Sequence, residues 1–181
     1  MYLFDLHCDT LTKCFDNSKD LYDNEYAVNL KSLYKFDSVI QTFAVFTDDR
    51  NDITSDYVFK CIDFLKSYNS DRFNVINSFN DLSKSSALIS LENLSFIGED
   101  VTLIKRLYEY GVKMVSLTWN FDNQFASGIY GHNGLTDLGK DVVKELETYN
   151  VVLDVSHLND KSFYDVCHVT SRPCVASHSN C

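Results

Sequence analysis

One proline in 181 residues, Pro173, leaves this chain without a proline-rich linker, and it carries no low-complexity tract or internal repeat. A single domain over residues 1–181 is therefore expected, the 45% hydrophobic content being enough for one sizeable core. Long apolar runs are missing too, none approaching the roughly 20 residues that a membrane helix needs. The N-terminus lacks the basic region and long apolar segment of a secretory signal. The first strand opens at residue 2, so the chain is expected to start inside its own fold with no leader, in the cytoplasm. Basic residues are scarce, 16 against 26 acidic, for a net charge of -10. That balance repels phosphate backbones and anionic lipid, and argues against nucleic-acid and membrane partners. The six cysteines include no CxxC pair and no framework spacing. Cys61, Cys167 and Cys174 sit among apolar neighbours, so buried, reduced thiols are expected rather than disulfides.

What is present is an alternation of short apolar segments with helix-like stretches. Residues 2–7, 38–46, 87–92, 112–118, 151–157 and 174–178 are rich in Val, Ile, Leu and Phe, as expected for strands covered on both faces. Between them, Val58, Cys61, Ile62 and Leu65 recur at helical spacing, as do Ile104, Leu107 and Tyr108, then Leu138, Val142, Leu146 and Tyr149, then Phe163, Val166 and Cys167. Thr136 and Asn159 stand where N-caps fall, and Gly111 where a left-handed C-cap falls. Such alternation predicts right-handed βαβ units and a parallel sheet, either doubly wound or curled into a barrel.

The chemistry-bearing residues cluster at strand ends. His7 and Asp9 lie two apart in Leu3-Phe4-Asp5-Leu6-His7-Cys8-Asp9-Thr10, which on a strand puts both on one face. Glu92 ends Ala87-Leu88-Ile89-Ser90-Leu91, where a buried carboxylate is costly unless paired or coordinated. His157 and His178 each follow a serine at the end of an apolar strand. Ligands delivered by the first, third, fifth and sixth strands meet at one point only if the sheet closes. The expected fold is therefore an α/β TIM barrel of (β/α)8 type, incomplete, with six of its about eight βα units written. Unpaired end strands and a partly open interior predict self-association as a homodimer, or reliance on a further segment.

Five ligands exceed one tetrahedral zinc and suit two ions, with His7, Asp9 and Glu92 on one and Glu92, His157 and His178 on the other. Glu92 then bridges and becomes the candidate catalytic residue. Ions about 3.5 to 4 Å apart hold a water between them and make hydroxide available at neutral pH for attack on a carbonyl or phosphoryl centre. Imidazole and carboxylate donors favour zinc. Asp5 is a candidate to orient the His7 imidazole from behind, with Asp154 the weaker candidate for such work. His132 reads as a solvated loop residue, His168 has no assigned role, and Ser156 and Ser177 read as neighbours of ligands rather than nucleophiles.

Six blocks, in order, resemble the membrane (renal) dipeptidases and their bacterial relatives: Asp5-Leu6-His7-Cys8-Asp9-Thr10, Ile89-Ser90-Leu91-Glu92, Val115-Ser116-Leu117-Thr118-Trp119-Asn120, Gly134-Leu135-Thr136-Asp137-Leu138-Gly139, Asp154-Val155-Ser156-His157 and Ala176-Ser177-His178-Ser179-Asn180. The resemblance implies a metal-dependent hydrolase barrel with a binuclear zinc site, Glu92 bridging, that cleaves dipeptides through a metal-bridging hydroxide. Trp119 stands where mammalian members carry histidine, which implies a bacterial-type member, and Trp119 and Asn120 are the candidates to line the substrate pocket. The family's carboxylate-binding arginine and late-strand aspartate fall beyond Cys181 in this pattern, so the chain is expected to be the N-terminal portion of a longer protein. Other amides, lactams or phosphoesters stay open as substrates on the residues alone, as does a metal-binding chain without turnover.

Overall fold

Each element boundary follows from a local feature of the chain, and the computed structural model describes residues 2–48, 53–78 and 85–179. In order they form β1 (Tyr2–Asp5), α1 (Thr10–Asp16), α2 (Leu30–Leu33), β2 (Ser38–Phe46), α3 (Ser55–Lys66), β3 (Asn74–Val75), β4 (Ser85–Glu92), a 3-10 turn (Ser95–Ile97), α4 (Leu103–Glu109), β5 (Val112–Ser116), α5 (Asp137–Thr148), β6 (Val152–Asp154) and α6 (Asp160–Val169). Thr54, Thr136 and Asn159 cap α3, α5 and α6 by accepting the N–H groups of Tyr57, Gly139 and Ser162. Gly111, at φ +107°, ends α4 in a conformation that a side chain resists.

All named strands pair in parallel, in the order β1-β2-β4-β5-β6, while β3 shares one edge of β4 with β5. A flat sheet would hold β1 and β6 four strand spacings apart, about 19 Å. Yet the rings of His7, just after β1, and His178, beside β6, lie 3.8 Å apart. The sheet is thus curled like part of a barrel, and its carboxyl ends converge. Val39, Phe43, Val45, Ile89, Leu91 and Val115 point outward into the main core, against the helices. Glu92, Ser90, Thr42 and Met114 point inward.

Three strands, β1, β5 and β6, are shorter than their apolar runs. Regular pairing in β1 stops at Asp5 rather than residue 7, β5 at Ser116 rather than 118, and β6 at Asp154 rather than 157. The expected sixth strand, 174–178, reduces to one bridge between Val175 and Asp154. The Ser177 N–H, which would continue that ladder, is taken instead by the Asp154 carboxylate at 3.1 Å. Three elements had no clear sequence pattern: α1, α2 and the two-residue β3. Cys8, Cys14 and Cys61 are buried and free, but Cys167 is exposed and Cys174 half-buried, because Cys167 lies on the solvent edge of the α6 stripe.

Candidate metal centre

Glu92, the last residue of β4, is 6% exposed and carries its carboxylate into the mouth of the sheet. Its two oxygens face different partners. Oε1 lies 2.8 Å from His157 Nε2 and 3.8 Å from His178 Nε2, whereas Oε2 lies 3.4 Å from His7 Nε2. Asp9 joins on the His7 side, its Oδ1 3.1 Å from the same Nε2. The structure therefore gathers all five sequence-derived ligand candidates around one carboxylate.

Strand periodicity is not what brings His7 there. Parallel register puts Asp5 level with Gln41 and Ala87, on the outward face opposite that of Glu92. A continued β1 would carry His7 and Asp9 outward as well. Instead the Asp5 carboxylate accepts the His7 N–H at 3.0 Å, a local turn that breaks the alternation and swings the imidazole inward. The contact expected between Asp5 and the ring is thus made to the main chain. Asp9 then stands at the N-cap position of α1.

β6 ends the same way: Asp154, 4% exposed, accepts the Ser156 N–H at 3.0 Å. Next to Ser156, His157 sits at φ +69°, a left-handed conformation that costs a β-carbon-bearing residue on the order of 1 kcal/mol and is seen at functional sites. Its Nδ1 meets Asn120 Oδ1 at 3.0 Å, so Asn120 stands behind a ligand candidate rather than in the cavity wall. His178 Nδ1 meets Ser177 Oγ at 2.7 Å, and Ser177 Oγ in turn donates to Asp154 Oδ2. These outer contacts escaped the sequence reading of Asp154 and Ser177. The available signal was the pair of serines beside the histidines; it did not say which way each hydroxyl points.

Charge fits a cation site. The donors are three imidazole nitrogens and carboxylate oxygens, and one donor atom each from His7, Glu92 and His178 lie within 4.8 Å of one another. Two of those nitrogens, His157 Nε2 and His178 Nε2, face each other at 2.7 Å. Such convergence of nitrogen and oxygen donors suits divalent ions of the zinc class. Burial pulls the His7 imidazole down, but the Asp9 hydrogen bond and the charges of Glu92, Asp9 and Asp154 outweigh it, leaving the ring more basic than usual. The His7 hydrogen bond holds Asp9 below the ordinary carboxylate range, burial opposing. Burial, reinforced by the His7 charge, lowers His178 and so favours its neutral form. The Cys8 thiol, pushed up to about 12 by burial, offers no thiolate at that pH.

A cavity of about 610 Å³ opens beside this cluster, lined by Asp9, Glu92, Lys13, Asp16, Tyr57 and Trp119 among others. Trp119 packs edge-on against Phe46 at 5.3 Å, and both line this cavity. His132 is exposed in its loop, and His168 is exposed on α6 with Nδ1 on the Tyr164 carbonyl at 2.7 Å.

Known proteins share this arrangement of chain. An uncharacterized protein from the pqqA 5′ region of Klebsiella pneumoniae is 36% identical over 85 residues, covering 42% of this chain and 31% of that one. Dipeptidase AC, a metallo peptidase of family M19, superposes with a TM-score of 0.88 at 22% identity, over 99% of this chain and 63% of its own. A metallo peptidase from Rhodobacter sphaeroides, solved with a phosphinate mimic of the dipeptide L-Ala-D-Ala, gives 0.85 at 20% identity, over 99% and 65%. The chain spans less than two thirds of each, so its curled sheet corresponds to an incomplete (β/α) barrel. The sequence description of the membrane dipeptidases, peptidase family M19, matches residues 1–181, and the chain belongs to that family.

Proposed function

We propose that this protein is a zinc-dependent dipeptidase whose site holds two ions, with His7, Asp9 and Glu92 on one and Glu92, His157 and His178 on the other. One observation carries the proposal: the oxygens of Glu92 are divided, Oε2 toward His7 and Oε1 toward His157 and His178, as a bridging carboxylate requires. Two bound ions would supply Lewis acidity toward a peptide carbonyl and acidify a water into the neutral range. The chain's own residues do the rest. Glu92 and Asp9 would offset the positive charge of the ions, and Asn120 and Ser177 fix the rings of His157 and His178 from behind. Trp119 and Phe46 form an apolar wall that shields the reacting bond from bulk water.

Family membership and the cavity size support a small peptide as the substrate. The proposal includes a cytoplasmic location and a homodimer, and the charge of -10 supports the expected lack of lipid and nucleic-acid partners. Among the described residues no helix is long and apolar enough to cross a membrane.

The test measures zinc content by elemental analysis and hydrolysis of a dipeptide panel, with lactams and phosphotriesters as comparison substrates. We expect two zinc ions per chain, at most one in Glu92→Gln, and preference for dipeptides wherever turnover is seen. Wild-type chain without zinc, or Glu92→Gln retaining both ions at unchanged affinity, overturns the proposal.

A further inference from the structure

We propose that Asp154 and Ser177 form a hydrogen-bonded relay that sets the tautomer of His178 and so makes its Nε2 available to a metal ion. The inference rests on the two-ion reading above and deepens it. Four hydrogen bonds define the relay. Asp154 Oδ1 accepts the backbone N–H groups of Ser156 at 3.0 Å and Ser177 at 3.1 Å, Asp154 Oδ2 accepts from Ser177 Oγ, and Ser177 Oγ meets His178 Nδ1 at 2.7 Å.

The direction of these bonds follows from the donor inventory. A carboxylate accepts and cannot donate, so the Ser177 hydroxyl proton must point at Asp154. That leaves only a lone pair of Ser177 Oγ facing His178, and Nδ1 must then carry the proton. A neutral imidazole has one N–H, so Nε2 is left with its lone pair, aimed at Glu92 Oε1 3.8 Å away and at His157 Nε2. Asp154 is a positioning residue: it touches no ligand atom, and it acts two hydrogen bonds away. Burial keeps it at that work, since at 4% exposure its acceptor sites are filled by protein rather than by water.

Polarity makes the relay testable, because Asp154→Asn reverses it without changing its shape. The two backbone N–H groups require an acceptor at the Oδ1 position, so the asparagine amide must place its NH2 where Oδ2 was. That group donates to Ser177 Oγ, the hydroxyl proton turns to His178 Nδ1, and the imidazole proton moves to Nε2, the nitrogen meant for metal. Ser177→Ala cuts the relay and leaves the tautomer unbiased. Adding Ser177→Ala to Asp154→Asn therefore removes the reversed bias, so the double variant should be better than Asp154→Asn alone.

The experiment measures zinc affinity by chelator competition for the chain and its three variants, and the His178 tautomer by long-range 1H–15N NMR on metal-free protein at pH 8. We expect Ser177→Ala to weaken the weaker zinc site by about tenfold and Asp154→Asn by about a hundredfold, with the double variant restored to within a few-fold of Ser177→Ala. The metal-free wild type should show His178 protonated on Nδ1, and Asp154→Asn on Nε2. A double variant as weak as or weaker than Asp154→Asn means that the two residues act through packing alone, and overturns the relay. So does an Nε2 proton on wild-type His178. Should wild-type chain bind no zinc, the two-ion reading fails, while the NMR arm still decides the relay.

Discussion

Asn93 follows Glu92 and holds it in place. It is fully buried at φ +73°, its Nδ2 donates to the Thr47 carbonyl at 2.8 Å, and its Oδ1 accepts from Ser95 N and Asn123 Nδ2, each at 3.1 Å. One side chain thus ties the ends of β2 and β4 to the loop that follows β5. Asn93→Ala leaves buried backbone groups without partners and puts a β-carbon in a left-handed conformation that asparagine tolerates better. The expected cost is about 3 kcal/mol, or a melting temperature lower by about 6 to 12 °C. Asn93→Gly loses the same hydrogen bonds but not the backbone fit, and should melt between wild type and Asn93→Ala. Thermal unfolding checks the order; equal melting of the two variants rules out a contribution from φ. Residue types alone pointed to His7, Asp9, Glu92, His157 and His178, because a carboxylate or imidazole at the end of an apolar run stands out. They could not show Asn93, whose importance is a backbone angle and the carbonyls around it, nor that Asp5 turns the main chain rather than the ring.

Elements deliver the ligands, and the least regular of them delivers His178. Between α6 and the Val175 bridge, residues 170–174 form no ladder; they hang on Glu147, in the last turn of α5. Glu147 Oε1 accepts from Thr170 Oγ1 at 2.6 Å and Ser171 N at 2.7 Å, and Oε2 from Ser171 Oγ at 3.0 Å. The Thr170 bond, with the Ser171 bonds, holds this carboxyl below the ordinary glutamate range, burial opposing. A group whose folded pKa is depressed stabilises above its unfolded pKa, and that stability is lost as pH falls through the depressed value. Glu147→Gln should therefore lower the melting temperature at pH 7 by a few degrees, for a loss of about 1 kcal/mol. The gap should close as pH falls below about 4.3, the unfolded value. Melting curves of both proteins from pH 7 to pH 3 test this, and a gap that persists unchanged at pH 3 contradicts it. Sequence periodicity found β2, β4 and β5 because they are long, apolar and flanked by helices with a clear stripe. The 174–178 segment looked like a strand by the same letters, Cys-Val-Ala-Ser-His. The ladder was lost to a competitor that no local pattern records, the Asp154 carboxylate arriving from 23 residues away to take the Ser177 N–H.

At the scale of the molecule, the two faces of the curled sheet are covered unequally among the described residues. Outward-facing side chains are covered by helices, and Val39, Phe43, Val45 and Ile89 are fully buried. The inward row differs: Phe4 on β1 is 55% exposed and Val152 on β6 is 38% exposed. Both belong to strands at the ends of the sheet order, and the outer side of β6 carries the short Val175 bridge. Apolar surface beside an open strand edge favours association. A second copy of the chain is the cover always present in a purified sample, and in a two-fold dimer each side chain counts twice. Phe4→Lys removes about 1.4 kcal/mol of burial at each of two positions, a weakening of about a hundredfold in the dimer constant. Sedimentation velocity over a wide concentration range should show wild type shifting between monomer and dimer, and Phe4→Lys staying monomeric at concentrations where wild type associates. Circular dichroism should be the same for both, since Phe4 contributes little to the folded core. Identical sedimentation of the two proteins across that range would mean that the inward face does not drive association.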